Sequence, residues 1–301
     1  MNDDDEEGNT AFHFAAALGT YPDDDDSSLE STTSESESFE DGEDETFNEL
    51  RIAEYDKCIE ALLNTEGINV NVQNNVGCTP LHYAAWSGDQ DCVKMLVKVR
   101  NININVGCKD QNHQEYTALH FAAEAGNVGV LKVLLKLKRL NPNAQTADGN
   151  TALILAAKNK HFDCAILLIE NENADLTIKN KYGQNVLHWA VYKGMSKLVH
   201  KLLEYDVINV NAQTKLGFTA LHIAAGNHYL SCTKALLNDS DIDIMIRDGK
   251  GKTPLDRAQE SDTNPEHKNE IIHLLRSYID SNVNVLRHRR VRVTTRSPYY
   301  S

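Results

Sequence analysis

The stretch Gly77-Cys78-Thr79-Pro80-Leu81-His82-Tyr83-Ala84-Ala85-Trp86 decides the fold, because its central motif recurs along the chain. Counterparts of Thr-Pro-Leu-His at residue 79 begin at residues 10, 117, 151, 185, 219 and 253. From residue 79 onward the interval is 38 residues once and then 34 residues four times. A fixed period of this size indicates a repeat protein built from one supersecondary unit. Since no single repeat can bury its apolar faces alone, the units must stack into a continuous core.

Each repeat has the pattern of two short helices and a polar hairpin. Thr and Pro favour a helix start, the Ala pair lets neighbouring helices approach closely, and Leu pairs such as Leu134-Leu135 supply the buried face of the second helix. This pattern resembles the ankyrin repeat, in which Gly-x-Thr-Pro-Leu-His opens the first helix. The resemblance runs from Gly8 to about Tyr278. It implies an all-α fold, an ankyrin-repeat α-solenoid of six to seven helix-turn-helix/β-hairpin repeats.

The first repeat is interrupted. Thr10 and Cys58 are 48 residues apart, whereas the equivalent Thr79 and Cys92 are 13 apart, so an insertion lies between the two helices of this repeat. The inserted segment is acidic and serine-rich and cannot bury enough apolar surface to offset the entropy of ordering. We therefore expect a partial repeat at residues 1–20, a disordered insertion at 21–51, the repeat array at 52–280 and a basic flexible tail at 281–301. A smaller insertion, at about residues 107–110, lengthens one hairpin.

Charge is concentrated at the two ends of the chain. The first 50 residues hold 18 Asp and Glu without a Lys or Arg, although the net charge of the whole chain is −14. The body that follows is nearly neutral. The end carries a basic cluster formed by Arg287, Arg289, Arg290, Arg292 and Arg296. Such a cluster could serve nuclear import, contact nucleic acid or be an inert tail.

Other features of the composition indicate the compartment. The longest apolar runs are shorter than the roughly 18 to 20 residues of a membrane helix, and the acidic start is unlike a secretory signal. Six cysteines without a tight Cys-x-x-Cys pair predict free thiols. We expect a soluble cytoplasmic or nuclear protein that is monomeric by itself.

Histidine and cysteine are frequent, but their register argues against a metal site. The histidines at 13, 82, 120, 188 and 222 occupy one equivalent position, where the resemblance implies a hydrogen bond to the neighbouring hairpin backbone. The cysteines at 58, 92, 164 and 232 also share one position and are expected to be small core residues. Stacked repeats hold such residues about 10 Å apart, too far to share a zinc ion. Cys78 and Cys108 lie outside this register and are the better candidates for reactive thiols.

Catalytic signatures are absent from the sequence. It contains no phosphate-binding glycine loop, no Gly-x-Ser-x-Gly elbow, no His-Glu-x-x-His and no kinase motif. We therefore expect no enzyme, no cofactor and no small-molecule substrate, with nucleic acid a weak alternative. The surface of the array is therefore the remaining candidate for a functional site.

The resemblance implies that partners meet the hairpin tips and the exposed ends of the first helices. Exposed aromatic side chains are efficient anchors for such contacts. Lysines would give the same face a positive rim that could meet an acidic partner or the acidic insertion of this chain. The candidate partner-binding residues are Val76, Trp86, His113, Tyr116, Glu124, Lys158, Lys181, Tyr182, Tyr192, Lys193, Lys215 and Phe218, and Asn75, Cys78 and Leu216 lie in the same regions.

The acidic insertion has the pattern of a phosphorylated segment, because several of its hydroxyl residues precede Asp or Glu by three positions. The candidate sites are Ser27, Ser31, Thr32, Ser34 and Ser38. Residues 26–31, Asp-Ser-Ser-Leu-Glu-Ser, are similar to the Asp-Ser-Gly-hydrophobic-x-Ser degradation signal of the ankyrin-repeat inhibitors of Rel/NF-κB transcription factors. Here Ser28 replaces the glycine, and the segment interrupts a repeat instead of preceding the array.

Two readings of function follow. In the first, the chain is an adaptor that binds a protein partner on the concave, hairpin-side face of the array. In the alternative, it is an inhibitor-type regulator that masks a Rel/NF-κB-like transcription factor under control of phosphorylation in the acidic insertion. The adaptor reading predicts that the aromatic residues govern binding, and the masking reading predicts loss of the protein through Ser27 and Ser31.

Overall fold

The computed structural model describes residue 5 and residues 8–17, 57–109, 113–263 and 265–294. Short helices follow one another in pairs, with hairpins between the pairs. The elements are α1 (Ala11–Ala17), α2 (residues 57–63), α3 (Pro80–Ser87), α4 (Gln90–Lys98), β1 (Cys108–Lys109), β2 (Gln114–Tyr116), α5 (Ala118–Ala125), α6 (Val128–Leu134), α7 (Ala152–Lys158), α8 (Phe162–Ile169), α9 (Val186–Tyr192), α10 (Ser196–Leu203), α11 (Ala220–Gly226), α12 (Leu230–Leu237), α13 (Pro254–Glu260), a 3₁₀ turn (Pro265–His267) and α14 (Lys268–Thr294).

Local chemistry explains why the first helix of each repeat starts where it does. Thr79 stands at the N-cap of α3 with extended backbone angles, and Pro80 occupies the first helical position. The backbone N–H of Thr79 donates to Nδ1 of His82, so the third helical residue satisfies a donor that the helix leaves free. The same reciprocal cap recurs at α5, α9, α11 and α13.

The chain divides into two compact units, and the N-terminal one ends at Ala174. In this unit the first helices α1, α3, α5 and α7 pack side by side in that order, and α4, α6 and α8 form a parallel row behind them. Fully buried alanines such as Ala84, Ala122 and Ala156 let the first helices approach closely. Leu96 and Leu131 fill the space between the two rows. The contact of α1 with α3 places α1 as the first helix of an interrupted repeat.

The C-terminal unit starts at Asp175 and repeats this arrangement. Here α9, α11 and α13 pack side by side, and α10, α12 and α14 form the second row. Buried Ile271 and Leu275 attach α14 to α12 and α13. The expected ankyrin-repeat α-solenoid is thus confirmed at the level of each unit.

The last helix extends into the segment that was predicted to be the tail. Residues 281–294, predicted to begin a flexible tail, continue α14 as helical backbone up to Thr294. The physical reason is the absence of Gly and Pro between Lys268 and Thr294, where the first helix breaker of the segment is Pro298. Residues 295–301 lie outside the described part of the chain.

Strand pairing is confined, within the described residues, to β1 and β2. They pair antiparallel, with Cys108 opposite Tyr116 and Lys109 opposite Gln114, and the register shifts between these two pairs. This is the hairpin that the four extra residues were expected to lengthen. In the same described ranges, no helix is both long and apolar enough to cross a membrane.

Candidate functional site

The five equivalent histidines fix each hairpin against the first helix of the preceding repeat. In every case one ring nitrogen contacts the N-cap residue and Nε2 lies about hydrogen-bond distance from a carbonyl oxygen of the next hairpin. The Nε2–O distances are 3.0 Å for His13 and Cys78, 2.9 Å for His82 and Val106, 2.9 Å for His120 and Ala144, 3.0 Å for His188 and Ala212, and 3.0 Å for His222 and Lys252. The structural role predicted for these histidines is confirmed.

The same histidines are neutral at physiological pH. Because Nδ1 accepts the N–H of the N-cap residue, Nε2 carries the proton and donates it to the carbonyl. Burial lowers the pKa of His82, His120 and His188 to about 4 and also lowers the pKa of His13 and His222. These neutral histidines stabilise the scaffold that carries the candidate site.

Hydrogen bonds between neighbouring hairpins set the tips in register. Lys109 donates its N–H to the carbonyl of Val76 at 2.7 Å in the N-terminal unit. In the C-terminal unit Lys215 donates to Tyr182 at 2.9 Å, and Gly249 donates to Leu216 at 2.8 Å. These bonds tie up the backbone of the tips, so the side chains of the tip residues are left to face outward.

In the N-terminal unit the surface is centred on Trp86, at the end of α3. Its side chain is 47% exposed, and its ring meets the rings of His113 and Phe121 edge to face, each with centroids 5.8 Å apart. Val76 lies at the neighbouring hairpin tip and is 36% exposed. Trp86 is therefore held by aromatic neighbours and still presents about half of its surface.

Tyr116, expected to be an exposed anchor, is buried, with only 7% of its surface accessible. The rings of His113 and Phe121 cover it at centroid distances of 4.9 Å and 5.4 Å. Burial, with the neighbouring charge and hydrogen bond of Glu124, raises the pKa of the Tyr116 hydroxyl. The lengthened hairpin carries His113 over Tyr116, and this is why the expectation is wrong.

Two charged residues complete this part of the site. Glu124 is half-buried at the end of α5, where its carboxylate lies 3.7 Å from Nε2 of His113. Lys158 is half-buried at the end of α7. The predicted residues Val76, Trp86, His113 and Glu124 thus lie around the end of α3 and the following hairpin.

The C-terminal unit carries its exposed aromatic and apolar residues at hairpin tips. Tyr182 is 52% exposed and Leu216, at the next tip, is 71% exposed. The ammonium group of Lys181 lies 5.2 Å from the centre of the Tyr182 ring, and Lys215 is also exposed. The backbone bond between Tyr182 and Lys215 keeps these two tips adjacent.

A second exposed ring lies at the end of α9. Tyr192 is 54% exposed, and Trp189 supports it edge to face at a centroid distance of 5.6 Å. The ammonium group of Lys193 lies 5.9 Å from the Tyr192 ring centre. Each exposed tyrosine of this unit thus has a lysine ammonium group close to its ring.

Phe218 was also expected to be exposed, and the structure corrects this. The guanidinium carbon of Arg257 lies 4.9 Å from the centre of its ring and covers it. Arg257 is fixed by Asp248, whose Oδ2 accepts the Nε–H at 2.6 Å. Burial opposes the charged form of Asp248, but the N–H of Lys252 and the Arg257 guanidinium outweigh it, so its pKa is lowered.

We use the term hairpin surface for the exposed residues among those predicted, together with the side chains that contact and hold them. It comprises Val76, Trp86, His113 and Glu124 in the N-terminal unit and Lys181, Tyr182, Tyr192, Lys193, Lys215 and Leu216 in the C-terminal unit. The sequence reasoning missed Phe121 and Arg257. Phe121 stands directly after the histidine of its motif, a signal that could have placed it beside the preceding helix.

The cysteines divide into two groups. Cys92, Cys164 and Cys232 are buried core residues as expected, and burial raises the pKa of Cys164 and Cys232 to about 11. Cys58, which was also expected to be a core residue, is instead exposed on α2.

Cys78 and Cys108, expected as reactive free thiols, are instead joined by a disulfide. In the described part of the chain, no three His, Cys, Asp or Glu side chains are grouped closely enough to hold a metal ion. The candidate phosphorylation sites at residues 27, 31, 32, 34 and 38 lie outside the described residues.

Comparison with known proteins finds ankyrin repeats in this chain. A family model described as ankyrin repeats (three copies) matches residues 50–108, 102–180, 119–214 and 187–285. The Caenorhabditis elegans homolog of transient receptor potential cation channel subfamily A member 1 is 32% identical over 114 residues, 38% of this chain and 9% of that protein. The chain therefore spans less than a tenth of this relative.

Two solved structures are similar to this chain in fold. The ankyrin repeat domain of Bcl-3, described as a unique member of the IkappaB protein family, superposes with a TM-score of 0.64 at 24% identity, covering 90% of this chain and 100% of that domain. An ankyrin repeat domain from Acinetobacter baumannii AYE gives a TM-score of 0.56 at 26% identity, covering 66% of this chain and 97% of that one.

Proposed function

Because this chain belongs to the ankyrin-repeat family, whose fold is a protein-interaction scaffold, we propose that it acts by binding a protein partner on the hairpin surface. The observation that carries the proposal is the presence of three aromatic rings, on Trp86, Tyr182 and Tyr192, that are about half exposed and yet held by neighbours. An aromatic side chain fixed in this way buries a large area on binding and loses little conformational entropy.

The environment of the rings supports a partner that is both apolar and acidic. In the C-terminal unit, Lys181 and Lys193 lie against the exposed tyrosines, and Lys215 lies at the adjacent tip. A carboxylate of the partner that approaches these tyrosines would meet a lysine ammonium group at the same time. Complementary charges of this kind speed association and fix the orientation of a complex.

The proposal includes what the protein does not do. It acts by recognition, without catalysis, a cofactor or a metal, and it works as a monomer in the cytoplasm or nucleus. The five equivalent histidines are buried, and each has a hydrogen-bond partner within the scaffold. Recognition of a partner is therefore assigned to the exposed residues.

The test is a quantitative affinity capture with the purified 301-residue chain as bait. The variants are Trp86→Ala for the N-terminal unit and Tyr182→Ala with Tyr192→Ala for the C-terminal unit. Tyr205→Ala is the matched control, because Tyr205 also has a lysine against its ring, Lys201 at 5.7 Å, but follows a second-row helix, α10, which ends at Leu203. All baits are first shown to keep their melting behaviour.

We expect a protein that the wild type and Tyr205→Ala retain equally and that one of the hairpin-surface variants binds at least about tenfold more weakly. Tenfold corresponds to about 1.4 kcal/mol, a modest value for an aromatic anchor. Retention of every partner by both hairpin-surface variants would refute the proposal.

A narrower proposal names the partner as a Rel/NF-κB-like transcription factor that this chain masks. The residues 26–31, with the order Asp-Ser-Ser-Leu-Glu-Ser, support it. The likeness to the Bcl-3 domain, at 24% identity, supports the fold only. A direct binding assay with a purified Rel-type factor tests it, and the absence of binding at micromolar concentrations would remove it.

A further inference from the structure

The disulfide between Cys78 and Cys108 links two consecutive hairpins. The Cα atoms of the two residues are 4.5 Å apart, within the range that a disulfide spans without backbone movement. Cys78 is 6% exposed and Cys108 is fully buried. Cys78 precedes the N-cap of α3, and Cys108 lies in β1, so the bond joins the hairpin before α3 to the hairpin before α5.

Cys108 stands at a hairpin position that other repeats fill with a hydrogen-bonding side chain. The equivalent residues accept the backbone N–H four positions later and so cap the turn. These bonds are 2.8 Å for Asn74 and Cys78, 3.2 Å for Thr146 and Asn150, 3.0 Å for Asn180 and Gln184, 3.1 Å for Thr214 and Phe218, and 3.1 Å for Asp248 and Lys252. A thiol is a weak acceptor and replaces this cap poorly.

The departure at Cys108 coincides with two others in the same hairpin. This hairpin alone among those described carries the four-residue lengthening, and Glu115 holds a left-handed backbone, φ 62°, where the equivalent residues Gly77, Gly183 and Gly217 are glycine. A hairpin that has lost its polar cap and its turn glycine lacks the side-chain bond that closes the turn in its neighbours. The bond to Cys78 supplies a covalent substitute.

The bond also lies next to the hairpin surface. Cys108 is paired directly with Tyr116, and Tyr116 packs against His113, which in turn contacts Trp86. Opening the bond would remove the covalent link that holds β1, the strand paired with Tyr116, to the preceding hairpin. The exposed ring of Trp86 would lose a fixed support.

The remaining cysteines have no such arrangement. Cys92, Cys164 and Cys232 lie on second-row helices, and Cys58 lies on α2. Since equivalent positions in stacked repeats are about 10 Å apart, these thiols are too distant from one another to be joined. Any intramolecular oxidation of the native protein is thus directed to a single pair.

We propose that Cys78 and Cys108 form a reversible redox site that reacts with low-molecular-weight disulfides of the glutathione type. The thiolate of Cys78, the more exposed of the two, attacks a sulfur of glutathione disulfide and releases one glutathione thiolate. The thiolate of Cys108 then attacks the sulfur of Cys78 and releases the second. Two protein thiols are oxidised, one glutathione disulfide is reduced to two glutathione thiols, and the two protons pass to the released thiolates.

The test counts thiols in the full chain without a partner. The protein is equilibrated anaerobically in mixtures of reduced and oxidised glutathione, quenched with acid, alkylated under denaturing conditions and weighed by mass spectrometry. Cys108→Asn is the informative variant, because it restores the side-chain type of Asn74 and Asn180 and cannot form the bond. Cys78→Ser is a second variant without the bond, and Cys164→Ser is the control that keeps it.

We expect the number of alkylated cysteines in the wild type to fall from six to four as the mixture becomes more oxidising and to return to six in reduced glutathione. Peptide mapping should find the link between residues 78 and 108. Cys164→Ser should lose two thiols in the same way, and Cys78→Ser should lose none. Cys108→Asn should lose one thiol as a glutathione adduct on Cys78, because the thiol that would displace the glutathione is gone. In the wild type, a count that stays at six, glutathione adducts without a cross-link, or a cross-link that reduced glutathione does not open would each overturn the proposal.

The expected effect of the disulfide on partner binding rests on the proposed function, whereas the thiol count is independent of it. If a partner depends on Trp86, its affinity should differ between the oxidised and the reduced wild type and should be the same under both conditions for Cys78→Ser. A chain that shows the redox response while both hairpin-surface variants retain every partner would refute the proposed function alone. A partner of the hairpin surface found with a chain that shows no redox response would refute the redox site alone.

Discussion

Lowering the pH from 7.5 to 5.5 should destabilise the fold through its buried histidines. His82, His120 and His188 have a pKa of about 4 in the folded chain, whereas an unfolded histidine has a pKa of about 6.5. Between these values the unfolded chain binds more protons, so stability is complete above pH 6.5 and is lost as the pH falls towards 4. The pKa of His13 and His222 is lowered in the same direction.

The magnitude follows from the two pKa values. At pH 5.5 an unfolded histidine is about nine-tenths protonated and a folded one is almost neutral, a difference worth roughly 1.3 kcal/mol for each of the three residues. The total is about 4 kcal/mol, which is a large fraction of the 5–15 kcal/mol of an ordinary domain. Carboxylates such as Asp248, whose pKa is lowered, stay charged throughout this range and do not contribute.

The assay is urea unfolding followed by far-ultraviolet circular dichroism at several pH values between 7.5 and 5.5. His120→Gln should lose about a third of the pH dependence, because an amide can donate to the Ala144 carbonyl without titrating. His200→Gln is the control, since His200 is exposed on α10, and it should keep the full dependence. Stability that is constant over this range, or an unchanged dependence in His120→Gln, would refute the argument that these histidines are buried and neutral.

Two further predictions concern the core and a hairpin tip. Leu131→Ala removes a fully buried side chain and should cost about 2–5 kcal/mol in urea unfolding, whereas the same change at Leu216, which is 71% exposed, should cost less than about 0.5 kcal/mol; equal effects would contradict the assigned core. Gly217→Ala should destabilise the chain by at least about 1 kcal/mol, because Gly217 has φ +79° and an added Cβ would lie 2.6 Å from the backbone nitrogen of Gly249; an unchanged melting temperature would contradict this tip geometry.

The repeat architecture could be predicted from the sequence because it depends on contacts within one period. The step from Thr79 to His82 sets the cap of α3, and the bond from His82 to Val106 depends on a fixed spacing of 24 residues. The same spacing recurs between His120 and Ala144. Since each repeat contacts only its neighbours, a correct register along the chain yields the packing within each unit.

The errors fall where the chain departs from that period. Tyr116 was predicted to be exposed from its place in the register, but the lengthened hairpin carries His113 over its ring. Phe218 is covered by Arg257, a residue of the next repeat whose reach across the ring has no signature in the motif. The exposure of a side chain depends on what its neighbours in space place above it, and periodicity does not specify this.

The failure to predict the disulfide from the sequence has the same cause. Cys78 and Cys108 stand at different positions of their repeats, so comparison of equivalent residues kept them apart. Only the pairing of adjacent hairpins, with Lys109 bonded to Val76, places the two sulfur atoms opposite each other. The sequence indicated that both residues were unusual and left their proximity open.

The central claim is that a protein partner binds the hairpin surface, and the most direct test is a hydrogen-exchange footprint of the complex formed with the partner that affinity capture identifies. The account predicts slower exchange on binding at hairpin tips and at the ends of first helices, around Trp86, Tyr182 and Tyr192, with no change in the second-row helices α4, α6, α10 and α12. Protection confined to those second-row helices, with the hairpin tips unchanged, would contradict it.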